Sequence, residues 1–317
     1  MRILYALSDR YGSQVQYIRF LQNAPPNSII KVAGYASKCN LINLDWNLDA
    51  LKDAIDLKTV SLKNENVSIY ASQIESFRPD LIISDLELIT SYIAIAHKIP
   101  LWQVSPLLFY YATTNEIKSE LNSRRRFSYI FKPHLKAKDF IHYAITNSSK
   151  NLIYSYFGDA HDFPIASNFE WVRPYFYSAN QSKAAEHHCC ATLLTNNKSH
   201  LNKIKDQEDT VLFSSFENEN YSNIKIKNIS NTSEYIINLK NSNYVACSAY
   251  TDFMADCFYN KKFANLFVDF DDIECVVNYL CAEHLNVGKA IMNALSNQSI
   301  DPKVNSKIKF FDQHLVE

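Results

Sequence analysis

The chain has 317 residues, of which 47% are hydrophobic and 21% are charged. This composition can form the core of one large domain or of two ordinary ones, and it excludes a disordered or fibrous chain. The 32 Lys and Arg residues nearly balance the 33 Asp and Glu residues, which leaves a net charge of −1. Any affinity for nucleic acid or for a membrane surface must therefore come from a local patch.

In the first half of the chain, apolar strands alternate with helices through short turns. Strands are predicted at residues 2–7, 29–35, 81–84 and 101–104, and helices after residue 12, at 69–77 and at 88–96. This alternation is typical of a parallel sheet covered by helices on both faces. We therefore predict an α/β, doubly wound, Rossmann-like domain over residues 1–177.

The alternation starts again after residue 187. Strands are predicted at residues 191–194, 211–213, 244–247 and 266–268 and in part of 235–239, and helices at 253–258 and 273–288. These elements predict a second Rossmann-like domain over residues 178–317, whose final helix is a candidate to return to the first domain. The expected architecture is two α/β domains with a cleft between them.

Glycine, cysteine and the N-terminus exclude several common sites. The four glycines, Gly12, Gly34, Gly158 and Gly288, are too far apart for a dinucleotide-binding fingerprint or a P-loop. The seven cysteines include no C-x-x-C pair, and neighbouring side chains of the 187–190 His and Cys run would diverge in a strand. We expect no metal and no tightly bound cofactor. Without a signal peptide or ~18 consecutive apolar residues, a cytoplasmic protein with no transmembrane segment is expected.

Ligands of parallel α/β sheets bind at the carboxyl ends of strands, near the switch in strand order. The first candidate loop is residues 9–13, where Asp9 and Ser13 could face a substrate. The alternative is a plain strand-to-helix turn, in which Gly12 takes a positive φ and Ser13 caps the helix.

The second candidate is Asp85 with Glu87, at the end of the clearest predicted strand. Partial burial at this position can raise the pKa of a carboxylate toward neutrality, so that the carboxylate can act as a general base. The more common outcome is structural, with Asp85 as the N-cap of the next helix and Glu87 as a partner of its dipole. The catalytic and the structural interpretation are compatible only if just one of the two carboxylates caps the helix.

Two further loops lie in the second half. At residues 248–252, backbone N–H groups of a helix start could hold a diphosphate, although Asp252 would repel it unless it turns toward a sugar hydroxyl. Residues 269–274 carry three Asp and one Glu, with Asn278 one turn on. These side chains could bind sugar hydroxyls, or they could simply be acidic residues that open a helix.

The four loops together resemble two-domain nucleotide-sugar glycosyltransferases of the GT-B architecture, a family that includes relatives of UDP-glycosyltransferases and of the lipid-II-forming transferase. The resemblance covers nearly the whole chain. Its motifs are the stretch from Arg78 to Glu87 that ends in S-D-x-E, Arg173-Pro174 at the crossing between domains, residues 243–263, and the acidic helix at 271–288.

The resemblance implies a nucleotide-sugar donor, with a UDP-sugar as the expected form, and no requirement for a divalent metal. The implied donor-binding residues are Ser214, Tyr250, Thr251, Asp252, Glu274 and Asn278. The family's first-loop His is replaced by Ser13, so the base is expected to be Asp85 or Asp9, with Ser13 and Glu87 near the acceptor. Tyr250 and Cys275 also replace a family Gly and Gln.

A basic segment at residues 121–138 contains no acid and interleaves aromatic residues. Cations bind phosphates and aromatic rings stack on an extruded base, which favours a phage-type enzyme that glycosylates a hydroxymethylated base in double-stranded DNA. The predicted acceptor-binding residues are Arg124, Arg125, Arg126, Tyr129 and Lys132. The alternatives for this segment are a solvated basic helix with buried aromatic residues and a patch that binds an anionic lipid surface or a polyanionic glycan. The alternative functions are a cell-surface glycan or lipid glycosyltransferase and a catalytically decayed binding protein.

Overall fold

The structure is a computed structural model that describes residues 1–8, 10–34, 55–56, 61–62, 65–113, 138–156, 165–176, 189–193, 198–204, 207, 209–214, 224–228, 232–262, 264–268, 274–275, 277–279 and 315. The chain forms two compact units. Unit 1 comprises Met1–Tyr154, Phe163–Val172 and Lys309–Glu317, and unit 2 comprises Ser155–Asp162 and Arg173–Ile308. The domain boundary predicted at residues 177–178 lies outside the described residues.

Unit 1 is built on a six-stranded parallel sheet. Its strands and the small antiparallel pair β3–β4 are β1 (Arg2–Leu7), β2 (Ile29–Gly34), β3 (Ile55–Asp56), β4 (Ser61–Leu62), β5 (Leu81–Ser84), β6 (Leu101–Ser105), β7 (Lys150–Tyr154) and β8 (Glu170–Val172). The order is β2-β1-β5-β6-β7-β8. β1 therefore pairs with β2 on one side and β5 on the other, and the strand order switches between β1 and β5.

The helices of unit 1 connect these strands. They are α1 (Tyr11–Asn23), α2 (Glu65–Phe77), α3 (Leu88–Ala96), α4 (Leu108–Ala112) and α5 (Lys138–Asn147). Every residue of β5 and residues 88–94 of α3 are buried, as expected of elements inside a covered parallel sheet. Packing joins α3 to α5 through Tyr92 and Tyr143, whose ring centroids are 6.1 Å apart.

Unit 2 contains a five-stranded parallel sheet in the order β11-β10-β9-β12-β13. Its elements are β9 (Cys189–Leu193), α6 (Lys198–Ile204), β10 (Thr210–Ser214), β11 (Ile224–Asn228), α7 (Thr232–Asn241), β12 (Tyr244–Ser248), α8 (Thr251–Tyr259) and β13 (Asn265–Phe267). Here the order switches between β9 and β12. The predicted fold class, α/β with two Rossmann-like doubly wound units, is confirmed.

One predicted strand is wrong. Residues 235–239 lie in helix α7, where Tyr235, Ile236 and Leu239 are buried. Their spacing of one and four residues places them on one helical face, which an apolar run in a short window does not distinguish from a strand. The strand in this region is β11, whose alternating I-K-I-K pattern was not recognised.

Two chain segments that belong to unit 2 pack against α8. Tyr156 donates its hydroxyl to Met254 Sδ at 4.0 Å. The guanidinium of the fully buried Arg173 lies 5.9 Å from the ring centroid of Tyr259, which also contacts Phe176. These contacts fix α8 in the core of unit 2. Among the described residues, no helix combines the length and the apolar character that a membrane crossing requires.

Candidate active site

In unit 1, the residues that follow β1 and β5 meet at the switch in strand order. Leu7 ends β1 and Ser84 ends β5, so Ser8, Arg10 and Asp85 all lie at the carboxyl edge of two adjacent strands. This is the position at which open α/β sheets bind ligands.

The Asp85 carboxylate is the centre of a buried polar cluster. Its Oδ2 accepts a hydrogen bond from Ser8 Oγ at 2.8 Å and forms an ion pair with Arg10 Nη2. The same Nη2 donates to Gln16 Oε1 at 3.2 Å. Gln16 Nε2 in turn donates to the carbonyl of Val104 in β6 at 3.1 Å. The cluster therefore connects the β1–α1 turn to both neighbouring strands β5 and β6.

The second carboxylate oxygen of Asp85 is different. Asp85 is 1% exposed, and its Oδ1 has no hydrogen-bond partner among the residues that the structure describes. Buried polar atoms are nearly always hydrogen-bonded, because an unmade bond leaves the full desolvation penalty. The geometry therefore leaves Oδ1 as an acceptor that a ligand's hydroxyl group could satisfy.

Glu87, and not Asp85, caps helix α3, so the expected assignment of the two carboxylates is wrong. Glu87 accepts hydrogen bonds from the N–H groups of Ile89 at 3.1 Å and Thr90 at 2.7 Å. Ser84 Oγ accepts the Glu87 N–H at 2.9 Å, and the buried Leu86 takes a left-handed φ of 53°. This turn places the Glu87 carboxylate at the start of α3, so Asp85 does not cap the helix.

The turn after β1 also differs from its expected form. Arg10 is the N-cap residue of α1 without a side-chain capping bond, and Gly12 lies inside the helix. The only described glycine with a positive φ is Gly34. Ser13 Oγ accepts the N–H of Ser8 at 3.2 Å, so Ser13 does not cap α1 and instead holds the start of the turn.

In unit 2, three of the predicted donor-binding residues lie together at the end of β12. Glu274 Oε1 accepts the N–H of Thr251, the first residue of α8, at 3.0 Å. Asn278 Nδ2 donates to Thr251 Oγ1 at 3.1 Å and to the carbonyl of Ala249 at 2.9 Å. Glu274 and Asn278 are almost completely buried. The cluster lies beside the β9–β12 switch of this sheet.

The remaining predicted donor-binding residues surround this cluster. Tyr250 is the N-cap residue of α8 with φ −86° and ψ 142°, so a residue other than Gly fits the backbone here. Asp252 is buried in the first turn of α8. Ser214 ends β10, at the same edge of the sheet but separated from β12 by β9.

Several predicted residues lie outside the described part of the chain. Asp9 is one, and the five acceptor-binding residues of the basic segment are the others: Arg124, Arg125, Arg126, Tyr129 and Lys132. The described cluster adds Ser8, Arg10 and Gln16, which sequence reasoning missed. The available signal for Arg10 was a charged residue in the short turn after a buried strand, three positions past Leu7.

The family of the chain follows from its sequence. The family model described as Glycosyl transferase family 1 matches residues 47–306. The chain belongs to this family. It is a glycosyltransferase, as the resemblance implied. No curated protein matches the sequence.

Solved structures of glycosyltransferases share the fold. The glycosyltransferase SsfS6 of Streptomyces sp. SF2575 has a TM-score of 0.53 at 11% identity, over 95% of this chain and 92% of that chain. The spinosyn rhamnosyltransferase SpnG has a TM-score of 0.53 at 10% identity, over 89% of this chain and 84% of that chain. SpnG complexed with thymidine diphosphate has a TM-score of 0.50 at 9% identity, over 89% and 85%. These likenesses identify the GT-B architecture.

Within this glycosyltransferase, the two clusters have different chemistry. The unit 1 cluster has a carboxylate with one oxygen that lacks a partner among the described residues, and this oxygen can accept a proton or a hydroxyl hydrogen bond. The unit 2 cluster has a helix start, a carboxylate and an amide, which can bind hydroxyl and phosphate groups. Among the described residues, no group of three or more His, Cys, Asp or Glu side chains is arranged to hold a metal ion.

Proposed function

We propose that this glycosyltransferase moves a sugar from a nucleoside-diphosphate donor to a hydroxyl acceptor, with Asp85 as the general base. The observation that carries the proposal is the buried Oδ1 of Asp85, which lacks a partner among the described residues at the switch of the unit 1 sheet. Glu87 caps α3, so helix capping does not account for the Asp85 carboxylate. Asp9 is the alternative base.

The proposed reaction is a single displacement at the anomeric carbon. Oδ1 of Asp85 accepts the proton of the acceptor hydroxyl while the hydroxyl oxygen forms a bond to that carbon. The bond from the carbon to the diphosphate breaks, and its electron pair leaves with the nucleoside diphosphate. One displacement inverts the anomeric centre. Ser13 and Glu87 are proposed acceptor neighbours of Asp85.

The donor is proposed to bind the unit 2 cluster. Because Glu274 already accepts the Thr251 N–H, a phosphate at that N–H would meet a buried carboxylate. We therefore assign Glu274, Asn278 and the side chain of Asp252 to hydroxyl groups of the ribose or sugar. The diphosphate is assigned to Tyr250 and to the backbone N–H groups that follow Thr251 in the first turn of α8. Ser214 is proposed to contact the donor from β10. No metal is invoked.

Ligand-induced stabilisation tests the donor site. The unfolding midpoint should be measured with UDP, thymidine diphosphate, UDP-glucose and thymidine diphosphate glucose, together with release of nucleoside diphosphate. A ligand at 100 times its Kd adds about 2.7 kcal/mol to the free energy of unfolding. Stabilisation with release supports the proposal. If no donor produces either stabilisation or release, the proposal is overturned. Stabilisation without release would indicate a decayed binding protein.

The basic segment favours DNA with hydroxymethylated bases as the acceptor. Its six cations without an acid, at residues 121–138, would contact phosphates, and its aromatic residues would stack on an extruded base. The names of the three similar structures mention no nucleic acid, so this acceptor rests on the sequence. A bacteriophage origin and a cytoplasmic location would accompany it.

DNA binding is tested by charge reversal. Replacing Arg124, Arg125 and Arg126 by Glu should weaken binding to hydroxymethylated duplex DNA and reduce its salt dependence, while the donor-induced shift stays the same. Sugar transfer to a glycan or lipid hydroxyl, with no binding to DNA, would contradict the DNA acceptor and leave the donor site intact.

A further inference from the structure

We infer that Arg10 is a positioning residue for the transfer reaction and that Gln16 supports it, so that Oδ1 of Asp85 is the oxygen left to act on the acceptor. This inference rests on the proposed function of Asp85. It adds two residues for which the motifs of the chain predict no role.

The contacts form an ordered chain from the sheet to the carboxylate. The Val104 carbonyl accepts Gln16 Nε2 at 3.1 Å, which turns Gln16 Oε1 toward the guanidinium. Arg10 Nη2 then binds both Gln16 Oε1 at 3.2 Å and Asp85 Oδ2. One guanidinium nitrogen therefore lies between two acceptors, and each end of the chain is attached to a different strand.

Both carboxylate restraints act on the same oxygen. Ser8 Oγ donates to Oδ2 at 2.8 Å and also accepts the Arg10 N–H at 3.4 Å. With Oδ2 held from two sides, the carboxylate plane is fixed, and the other oxygen stays without a partner among the described residues. A base held in one orientation loses little freedom on reaching the transition state.

Stability alone is a poor explanation for this arrangement. The side chains of Arg10 and Asp85 are 2% and 0% exposed, so both charges are desolvated. A buried ion pair is often no more stable than apolar residues of the same size, because desolvation offsets the attraction. The unsatisfied oxygen adds a further penalty. A role in the transfer reaction would account for an ion pair between Arg10 and Asp85 that has this desolvation cost and lies at the ligand-binding edge of the sheet.

Lysine cannot replace arginine in this arrangement. The guanidinium has a rigid planar set of donors, whereas the lysine ammonium is a point charge on a flexible stem. Arg10→Lys therefore keeps the charge beside Asp85 and loses the fixed geometry. It separates an electrostatic role of Arg10 from a positioning role.

The test compares kcat and KM for whichever of UDP-glucose and thymidine diphosphate glucose is turned over, by release of nucleoside diphosphate. The variants are Arg10→Met, Arg10→Lys, Gln16→Leu, Asp85→Asn and the Arg10→Met/Asp85→Asn double variant. Misplacing a catalytic group by about 1 Å costs roughly 100-fold. We expect Arg10→Met to lose about that factor in kcat with the donor KM unchanged. Arg10→Lys and Gln16→Leu should each lose less.

The double variant is the decisive measurement. If Arg10 acts only through Asp85, removing it in the Asp85→Asn background changes kcat no further, so the double variant equals Asp85→Asn. Losses that multiply overturn the inference, as does an unchanged kcat in Arg10→Met. Arg19→Met is the matched control, because Arg19 is also a buried arginine of α1 but is not a partner of Asp85 in the cluster. It should alter stability without altering kcat.

Two safeguards keep the result interpretable. If Arg10→Met does not fold, as judged by loss of the donor-induced shift, Arg10→Lys and Gln16→Leu carry the test, and a wild-type kcat in both overturns the inference. If the wild-type protein releases nucleoside diphosphate from no donor, the proposed function fails. An active wild type with an inactive Asp85→Asn and a fully active Arg10→Met refutes the positioning role alone.

Discussion

Both units place a buried carboxylate at the switch of a parallel sheet, but the two carboxylates have different partners. In unit 1, Asp85 pairs with the side chain of Arg10, and the adjacent helix is capped by its own Glu87. In unit 2, Tyr250 makes no side-chain capping bond, and Glu274, 23 residues after Thr251, accepts the N–H at the helix start.

The two helices differ in where their capping carboxylate comes from, and this difference decides which carboxylate in each unit is already hydrogen-bonded to a helix. In unit 1, Glu87 caps α3 from within the same turn, so the Asp85 carboxylate is not used as the cap of this helix. A distant cap in unit 2 occupies Glu274 and ties the 274–279 stretch to the start of α8. The first arrangement suits a proton acceptor, and the second suits a rigid binding site.

The strongest effect is expected on the catalytic rate when the Asp85 carboxylate is removed. Asp85→Asn should lower kcat by about 10²- to 10⁴-fold, the usual contribution of a general base, with the donor-induced shift retained. Asp80→Asn is the matched control, because Asp80 precedes the same strand at its opposite end and is exposed. Steady-state release of nucleoside diphosphate measures both. A fully active Asp85→Asn would remove the distinction between the units.

The next effect tests how tightly the unit 1 edge is packed. Gly34 ends β2 with φ +92°, and a Cβ there would lie 2.3 Å from the Leu7 carbonyl oxygen and 3.2 Å from Glu87 Cγ. Gly34→Ala should therefore lower the free energy of unfolding by at least about 2 kcal/mol. Urea unfolding measures this, with the exposed Ser76→Ala as the control. A change within about 0.5 kcal/mol would contradict the packing.

Alkaline pH should act on unit 2, which contains all five described cysteines. Burial raises the pKa of Cys190 well above its ordinary 9.0, and a hydrogen bond with Cys247 together with burial raises that of Cys257. Above pH 9 the unfolded chain releases these protons and the folded chain retains them. The free energy of unfolding should then fall by about 1.4 kcal/mol per pH unit for each thiol.

Urea unfolding between pH 7 and pH 10 measures this slope. Cys257→Ala should show a shallower fall than the wild type above pH 9 and no difference in slope below pH 8, where both states keep the proton. Equal slopes in the two proteins would mean that the Cys257 thiol titrates in the same way in the folded and unfolded chains.

The smallest effects compare the two caps directly. Glu87→Ala and Glu274→Ala should each lower the free energy of unfolding by about 1 kcal/mol, because each leaves helix N–H groups without an acceptor. Only Glu274→Ala should also reduce the donor-induced shift. Glu75→Ala, which removes an exposed partner of His97, is the control. A raised acceptor KM in Glu87→Gln would support the acceptor role predicted for Glu87.

Much of the fold follows from local patterns. The strands of both sheets are short apolar runs that end in polar turns, and β5 and β12 were predicted to within one residue of their bounds. Helix α7 was missed because three buried residues in a five-residue window fit either a strand or a helix. The gathering of Thr251, Glu274 and Asn278 agrees with the motifs that predicted them, while their donor role stays a prediction.

That polar residues end the central strands can be predicted from local patterns, since an apolar run followed by Asp or Ser at a turn needs no long-range information. Which carboxylate caps a helix, and which has an oxygen without a partner among the described residues, becomes visible only in the folded chain. That choice depends on the left-handed turn at Leu86 and on an arginine 75 residues away from Asp85. Hydrogen bonds between distant residues leave no periodic signal in the chain, because parallel strand pairing alone brings their partners together.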